Sequence, residues 1–190
     1  MLGTKQVILK SFGNNKPVRI SYGLVGSQFG DIVLGFLKDA NDAICYLHFA
    51  ESEDKENRTN NYESLLQKRW PSALLLEDLN QARILADRIF SKEDMILNVM
   101  VSGTPFQEAV WNELLKIPSG QTCTYGDIAD RIGKPNAVRA VGTAVGSNEI
   151  SIVIPCHRVV SKNGDIKYAG GRTRKINLLK YEKEKSQSGN

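Results

Sequence analysis

Short apolar segments separated by polar turns fill the first part of the chain. Residues 17–26, 31–38 and 43–50 are each rich in apolar side chains, and Gly, Asn and Asp stand between them. This pattern is typical of antiparallel β-strands. The polar stretch ESEDKENRTNN, residues 51–61, is predicted to be a loop. The chain is therefore predicted to open with a strand meander.

Helical spacing begins after that loop. Residues 62–70 and 78–90 carry apolar side chains three and four positions apart, which predicts two amphipathic helices. Cys45 and His48 lie in the strand pattern ICYLHF, where packing is the expected role of both side chains.

The second half starts with a capped helix after a domain boundary predicted at residues 101–104. Thr104, Pro105 and Gln107 have the spacing of an N-cap, a first-turn proline and the third-position partner of a capping box. A helix is therefore predicted over residues 105–117.

Two shorter helices are predicted next. Thr124 and Asp127 form a second candidate cap, for a helix over residues 125–132, and Gly133 is placed to end it. A third helix is predicted over residues 136–146. Two short helices joined by a turn that contains glycine are the skeleton of a helix-turn-helix.

The third helix has an unusual composition for a DNA-reading helix. Its sequence, AVRAVGTAVG, consists mostly of small residues, and Arg139 is its one charged side chain. A recognition helix usually carries several long polar side chains that read base edges. Two interpretations remain open: close approach of the helix backbone to DNA with Arg139 as a single probe, or a buried helix with one exposed arginine.

The distribution of charge separates the two halves. The net charge is +4, but residues 1–100 carry 12 Lys and Arg against 13 Asp and Glu, whereas residues 101–190 carry 13 against 8. The basic surplus of the second half fits a polyanionic partner, and it fits a solvated basic face equally well.

The apolar runs are too short to span a bilayer, and no secretory signal is recognised at the N-terminus, so a cytoplasmic location and no membrane association are expected. Cys45, Cys123 and Cys156 are odd in number and far apart, which favours reduced thiols over disulfides. The chain has only two histidines, and no metal site is expected.

The candidate chemistry lies after the β-branched run ISIVI, residues 150–154, which is predicted to be a buried strand that stops at Pro155. Cys156, His157 and Arg158 follow. A cysteine reacts as its thiolate, and a base or a positive charge nearby promotes that form. His157 and Arg158 supply both residue types, although the pair taken alone also fits a structural role.

Ordered motifs throughout the second half resemble those of one known family. The motifs are TPFQEAVW, IPSGQTCTYGDIA, GKPNAVRAVGTAVGSN, IPCHRVVSKNGDIKYAGG and KINLLKYE. From about Gly103 to Glu182 they closely resemble the O6-alkylguanine-DNA alkyltransferase family. The resemblance implies an α+β protein whose residues 1–100 form a ribonuclease H-like domain, with a small antiparallel sheet and helices. It implies that residues 101–190 form a winged helix-turn-helix domain that binds DNA and carries the active-site cysteine.

The resemblance also implies roles for individual residues. Cys156 would be the acceptor nucleophile, His157 its base through a bound water, and Glu182 the carboxylate that orients the imidazole. Tyr125 would donate a proton to N3 of guanine. Asn148 would tie its helix to the active-site turn and support the thiolate.

Further positions are implied at the DNA and in the base pocket. Arg139 would enter the duplex and hold the gap left by the flipped nucleotide. The other implied DNA contacts are Thr124, Tyr125, Ala137, Ala140 and Gly142, and the implied pocket residues are Ser151, Val159, Tyr168, Ala169 and Gly170. Two positions depart from the family pattern: Ala169 replaces a serine of many relatives, and Ser151 replaces a proline of some. Residue 169 would then donate a hydrogen bond to O6 only through its backbone N–H.

The activity that the resemblance implies is direct reversal of DNA damage. One alkyl group per protein molecule would move irreversibly from O6 of guanine, and also from O4 of thymine, in double-stranded DNA to Cys156. The base must leave the stack, because a protein thiolate cannot reach the O6 substituent within a duplex. DNA containing O6-alkylguanine is the expected partner of a monomeric protein that needs no cofactor.

Two other functions are compatible with parts of the sequence. A winged-helix protein could recognise alkylated bases without repairing them, but the nucleophile position would then hold a residue other than cysteine. A cysteine hydrolase could use the Cys156–His157 pair, but it would turn over repeatedly and would not need DNA.

Overall fold

The chain divides into two compact units between Val101 and Ser102. The computed structural model describes residues 5–11, 18–50, 58–91, 93–163 and 168–187. Residue 17 of the first predicted strand and residues 51–57 of the predicted loop lie outside these ranges.

The described part of the first unit contains a six-stranded sheet with the order β1-β6-β4-β3-β2-β5. Its strands are β1 Lys5–Ser11, β2 Arg19–Val25, β3 Ile32–Leu37, β4 Ala43–Phe49, β5 Leu74–Glu77 and β6 Met95–Val101. The three strands predicted from the apolar segments are confirmed as β2, β3 and β4. Strands β1, β5 and β6 were not predicted.

The sheet is mixed, so the expectation of an antiparallel sheet is wrong for its outer strands. β2 pairs with β3, and β3 with β4, in antiparallel fashion, but β1–β6, β2–β5 and β4–β6 are parallel pairs. Parallel neighbours need long crossover connections, which usually contain a helix. Helix α1, Arg58–Arg69, lies between β4 and β5, and α2, Leu79–Phe90, lies between β5 and β6.

Both predicted helices of the first unit are confirmed, with one boundary corrected. Helix α1 begins at Arg58, inside the stretch predicted to be a loop. Its buried side chains, Tyr62 and Leu66, belong to the same apolar cluster as Val33 of the sheet. Tertiary packing therefore stabilises a helix that its polar first turn does not predict. Asp78 caps α2 by accepting a hydrogen bond from the backbone N–H of Gln81 at 3.0 Å.

The second unit is mainly helical. Its helices are α3 Pro105–Leu115, α4 Tyr125–Arg131, α5 Val138–Gly146 and α6 Arg172–Gln187. It also contains two short strands, β7 Cys123–Thr124 and β8 Val159–Val160, which pair in parallel. Both predicted capping boxes are present, at Thr104 and at Thr124. Gly133, with φ +69°, ends α4 as expected. Residues 135–137 form a 3-10 turn that precedes α5.

Helix α5 packs against α3 and α4. The indole N–H of Trp111 in α3 donates to the carbonyl of Ala144 in α5 at 2.9 Å, and both residues are buried. No helix in the described part of the chain combines the length and the apolar composition that crossing a membrane requires.

The segment ISIVI is buried, but it is not a strand. Residues 151–153 form a turn in which the N–H of Val153 donates to the carbonyl of Ser151 at 2.8 Å. Ile152 has φ +71°, a left-handed conformation that β-branched residues rarely adopt. A run of five residues, four of them apolar, does not by its periodicity separate a strand from a buried turn. Cys156–Arg158 therefore lies in a 3-10 turn rather than at a strand end.

Candidate active site

The side chain of Asn148 organises the turn that leads to Cys156. Its Nδ2 donates to the carbonyl of Ile154 at 2.9 Å and to Sγ of Cys156 at 3.1 Å. Its Oδ1 accepts from the N–H of Ile150 at 3.0 Å. Asn148 is buried just beyond the end of α5, so its amide connects this helix to both ends of the turn. The structure thus brings together Asn148 and Cys156, two of the residues named from the sequence.

The thiol of Cys156 is almost completely buried, with 8% of the residue exposed. Burial raises the pKa of this thiol, because a thiolate loses hydration there, while the hydrogen bond from Asn148 and the charge of Lys175 act in the opposite direction. The net shift is upward. Cys156 is therefore a neutral thiol at neutral pH in this structure, and a base must remove its proton before it can act as a nucleophile.

His157 and Glu182 form a buried pair. Nε2 of His157 lies 2.9 Å from Oε1 of Glu182, and neither side chain is more than 4% exposed. Burial lowers the pKa of His157 more strongly than the hydrogen bond and charge of Glu182 raise it. Burial alone raises the pKa of Glu182, but hydrogen bonds from His157 and Arg158 outweigh it and lower the pKa to about 2. At neutral pH the pair is thus a neutral imidazole beside a carboxylate.

These charge states fix the tautomer of His157. A carboxylate only accepts hydrogen bonds, so Nε2 carries the proton and Nδ1 holds a free lone pair. Nδ1 is buried, and no residue in the described ranges forms a hydrogen bond with it. The nitrogen that can accept a proton is therefore the one turned away from Glu182.

Arg158 contacts the carboxylate rather than serving as a charge on the thiol, which corrects the role that its position next to Cys156 suggested. Its Nε lies 3.0 Å and 3.2 Å from the two oxygens of Glu182, and Nη2 donates to Oε1 at 2.8 Å. Its Nη1 donates to the carbonyl of Ile117, just after α3, at 2.6 Å. The backbone fold of the 3-10 turn, and not sequence adjacency, decides where this side chain points.

Lys175 is a buried cation that the sequence reading did not identify. It is 1% exposed, and Nζ donates to the carbonyl of Val159 at 2.5 Å. Burial lowers its pKa, and its charge lowers the pKa of Cys156. A signal for it exists in the motif KINLLKYE: Lys175, Leu178 and Glu182 stand three and seven residues apart, which places them on one face of a helix. These three are the buried residues of α6.

Gly120 is a second residue that the sequence reading missed. Its N–H donates to Oε2 of Glu182 at 3.2 Å, and its φ is +80°. A Cβ at this position would lie 2.8 Å from Oγ of Ser186 and 3.2 Å from the carbonyl of Glu182. Only glycine fits both the conformation and the space beside the carboxylate.

Cys156 contributes to the lining of a cavity of about 660 Å³. The predicted site residues that line it are Tyr125, Arg139, Gly142, Asn148, Ser151, Cys156, Tyr168 and Ala169. The other seven predicted site residues do not line it: Thr124, Ala137, Ala140, His157, Val159, Gly170 and Glu182. Burial, followed by the charge of Cys156, raises the pKa of both Tyr125 and Tyr168. Two phenol groups therefore lie close enough to the thiol to sense its charge.

The two faces of α5 differ. Val141, Ala144 and Val145 are buried, whereas Arg139 and Ala140 are exposed. Gly142 faces Tyr125, and a Cβ on it would lie 3.9 Å from Cδ1 of that ring. The helix is thus buried on one side and presents Val138, Arg139 and smaller residues on the other.

The site itself defines a class of protein. A cavity lined by a cysteine, with an amide that donates to the sulfur and an imidazole–carboxylate pair that starts at the next residue, is typical of proteins that use a cysteine nucleophile. The family described as "6-O-methylguanine DNA methyltransferase, DNA binding domain" matches residues 105–184. The inducible methylated-DNA–protein-cysteine methyltransferase of Bacillus subtilis (strain 168) is 46% identical over 126 residues, which cover 63% of this chain and 70% of that protein. The chain belongs to the methylated-DNA–protein-cysteine methyltransferase family.

Solved structures extend the similarity to both units. The crystal structure of Mycobacterium tuberculosis O6-methylguanine methyltransferase has a TM-score of 0.68 and 33% identity, and the match covers 87% of this chain and 93% of that one. A structure of Mycobacterium tuberculosis OGT in complex with DNA has a TM-score of 0.66 and 32% identity, over 88% and 94% of the two chains. The α+β class with a mixed sheet agrees with these structures. Several other curated relatives match this chain over only 51% of their own length.

Proposed function

We propose that this protein repairs alkylated DNA by moving an alkyl group from O6 of guanine onto Sγ of Cys156. The observation that carries the proposal is a cavity lined by both Cys156 and Arg139, with the buried His157–Glu182 pair starting at the residue that follows the cysteine. The target nucleotide leaves the base stack and enters the cavity, because the O6 substituent cannot meet a protein thiol inside a duplex.

The reaction is a displacement at the carbon attached to O6. His157 Nδ1 takes the thiol proton through a water, and Glu182 stabilises the imidazolium that forms. Sγ of Cys156 then forms a bond to the alkyl carbon, the bond from that carbon to O6 breaks, and its electron pair stays on guanine. Guanine takes up one proton, so an alkylguanine and a thiol become guanine and a thioether. Water and thiols do not readily displace a thioether, and each protein molecule reacts once.

Tyr125 and Asn148 assist this displacement from two sides. The phenol of Tyr125 keeps its proton at neutral pH, since burial and Cys156 raise its pKa, and it can deliver that proton to guanine N3. Neutral guanine is a better leaving group than its anion. Asn148 donates to Sγ and stabilises the thiolate as it forms.

The exposed face of α5 is the proposed contact with DNA. The small residues Ala137, just before α5, and Ala140 and Gly142 within it would let the helix backbone come close to the duplex. Thr124 would join this surface from the start of α4. Arg139, at the rim of the cavity, would occupy the gap that the flipped nucleotide leaves. In this arrangement α4 and α5 form the helix-turn-helix of a winged domain.

The base pocket would be formed by Ser151, Tyr168 and Ala169, which line the cavity, whereas Val159 and Gly170, also named from the sequence, lie outside its lining. Ala169 offers no hydroxyl, so its backbone N–H is the proposed donor to O6. Ser151 would place a small polar side chain beside the alkyl group. O4-alkylthymine is proposed as a further substrate.

Further proposals concern the first unit and the state of the protein in the cell. We propose a ribonuclease H-like topology for the first unit, on the basis of the antiparallel run β2–β3–β4 with β5 added parallel to β2. A monomer in the cytoplasm is proposed, and the cytoplasmic location is supported by Cys45, Cys123 and Cys156, none of which forms a disulfide, as expected in a reducing compartment. Light scattering of the purified protein tests whether it is a monomer, and cell fractionation tests its location.

Intact-mass measurement after incubation with duplex DNA that contains O6-methylguanine tests the main proposal. The expected result is the gain of one methyl group per protein molecule, mapped to the peptide that carries Cys156. Repeated release of methyl groups beyond one equivalent, or a modification on another residue, would contradict it.

A further inference from the structure

Arg158 and His157 are neighbours in sequence, and both reach the same carboxylate. Three contacts of 2.8 to 3.2 Å join the Arg158 guanidinium to Glu182, and Nε2 of His157 lies 2.9 Å from Oε1. The Arg158 side chain is 15% exposed and that of Glu182 4%. Nη1 of Arg158 also donates to the carbonyl of Ile117, which anchors the guanidinium at the end of α3. The Glu182 carboxylate is thus held between the Arg158 guanidinium and the His157 imidazole.

The imidazole is surrounded by several charged or titratable groups. Glu182 and Lys175 face it from α6, Arg158 from its own turn, and the edge of Tyr168 approaches it with a ring distance of 6.5 Å. The Cys156 thiol precedes it. A carboxylate at hydrogen-bond distance favours the imidazolium form, whereas a cation on that carboxylate opposes it. Burial lowers the pKa of His157 most, and the charges of Arg158 and Lys175 lower it further against the effect of Glu182.

The form of His157 decides whether it can act as a base. An imidazolium has a proton on both nitrogens and accepts none, so it cannot take the thiol proton. A guanidinium keeps its charge at any pH at which proteins are folded. Arg158 therefore balances the charge of Glu182 at all times, and the carboxylate does not need a proton on Nδ1 of His157 for that purpose.

We propose that Arg158 is a positioning residue that holds His157 neutral, with its proton on Nε2 and a lone pair on Nδ1 ready to accept the thiol proton of Cys156. This role rests on the proposed function, since it concerns the activation of the same thiol. Arg158 does not touch the reacting atoms and acts through Glu182 and through its own charge on His157.

The first test measures the protonation of His157 by NMR of the imidazole nitrogens. In the wild-type protein, His157 is expected to be neutral at neutral pH with the proton on Nε2. Arg158→Gln removes the charge and keeps an amide donor, and the pKa of His157 is expected to rise. Arg158→Lys keeps a cation beside Glu182, so the pKa of His157 should stay low in this variant. Lys116→Gln, which removes an exposed cation from an ion pair at the end of α3, is the matched control and should change nothing.

The second test follows the single-turnover rate of methyl transfer against pH. In Arg158→Gln the rate at neutral pH is expected to fall about tenfold for each unit by which the pKa of His157 rises above the pH, and to recover toward the wild-type rate in alkaline buffer. Arg158→Lys should restore most of the rate at neutral pH. If Arg158 had only a structural role, Arg158→Gln would lower the rate equally at every pH and would leave the titration of His157 unchanged from the wild type.

Two results would overturn the proposal. One is a doubly protonated His157 in the wild-type protein at neutral pH, which is decisive even if Arg158→Gln does not fold. The other is an unchanged His157 titration in a folded Arg158→Gln protein. Absence of methyl transfer by the wild-type protein would instead reject the proposed function, and the NMR titration would still decide the role of Arg158.

Discussion

Nδ2 of Asn148 lies 3.1 Å from Sγ of Cys156 and 2.9 Å from the carbonyl of Ile154, so one amide group holds both the nucleophile and the turn before it. The same side chain accepts the N–H of Ile150. This amide compensates for the strain of a turn in which Ile152 has a positive φ. Its removal should therefore affect both stability and reactivity.

Asn148→Ala is expected to lower the free energy of unfolding by about 2–3 kcal/mol, because it leaves a buried N–H and a buried carbonyl without their partner. Chemical denaturation measures this loss. Asn112→Ala, which removes an exposed amide bonded to the carbonyl of Glu108, is the control and should change stability by less than about 0.5 kcal/mol. Equal losses in the two variants would contradict a special role for Asn148.

Cys156→Ser should abolish alkyl transfer and leave DNA binding nearly unchanged, since a hydroxyl is a far weaker nucleophile of similar size. Intact mass and a gel-shift assay measure the two properties. Cys45→Ser, in the first unit, is the control for loss of a buried thiol and should still accept one methyl group per molecule. Residual transfer in Cys156→Ser would require another acceptor.

His157→Ala and Glu182→Ala should each slow transfer, because the neutral Cys156 thiol then lacks the base or the carboxylate that stabilises the imidazolium. Higher pH should rescue both variants in part by ionising the thiol directly. Single-turnover rates over a pH series measure this effect. A profile with the wild-type shape and a uniformly lower rate would mean that these residues act by another route.

Acid should destabilise the protein in two stages. The pKa of His157 is lowered from 6.5, so the unfolded chain binds a proton more readily than the folded one, and stability falls as the pH drops below that value. The pKa of Glu182 falls from 4.5 to about 2, so its contribution, about 3 kcal/mol, is lost between these values. Urea unfolding against pH should show both stages. His157→Gln should remove the first stage and Glu182→Gln the second, and persistence of either stage in its variant would contradict the assignment.

Arg139→Ala should react slowly with O6-methylguanine in duplex DNA. Taking the base out of the stack costs on the order of a few kcal/mol, and without the arginine no side chain fills the gap to offset this cost. The free base O6-benzylguanine does not have to leave a duplex. Provided that it fits beside Ser151, Arg139→Ala should react with it as fast as the wild-type protein does. Circular dichroism checks the fold of the variant. Equal loss on both substrates would return Arg139 to a structural role.

The sequence alone determined the features that depend on neighbours along the chain. Both capping boxes, at Thr104 and Thr124, were predicted because a cap needs only a side chain and a backbone N–H three residues apart. The glycine that ends α4 was predicted for the same reason. The ordered motifs also indicated Cys156 and its family, because they preserve chemistry that is local in sequence.

Tertiary structure decided what residues distant in sequence do to one another. The buried run at residues 150–154 became a turn because Asn148 supplies hydrogen bonds that a strand would take from a neighbouring strand. Arg158 and Glu182 lie 24 residues apart in sequence, and only the folded chain directs the guanidinium to the carboxylate. The parallel pairs β2–β5 and β4–β6 likewise depend on long connections that contain α1 and α2. Local patterns carry no record of such partners, because the hydrogen bonds and charges involved form only after the chain has folded.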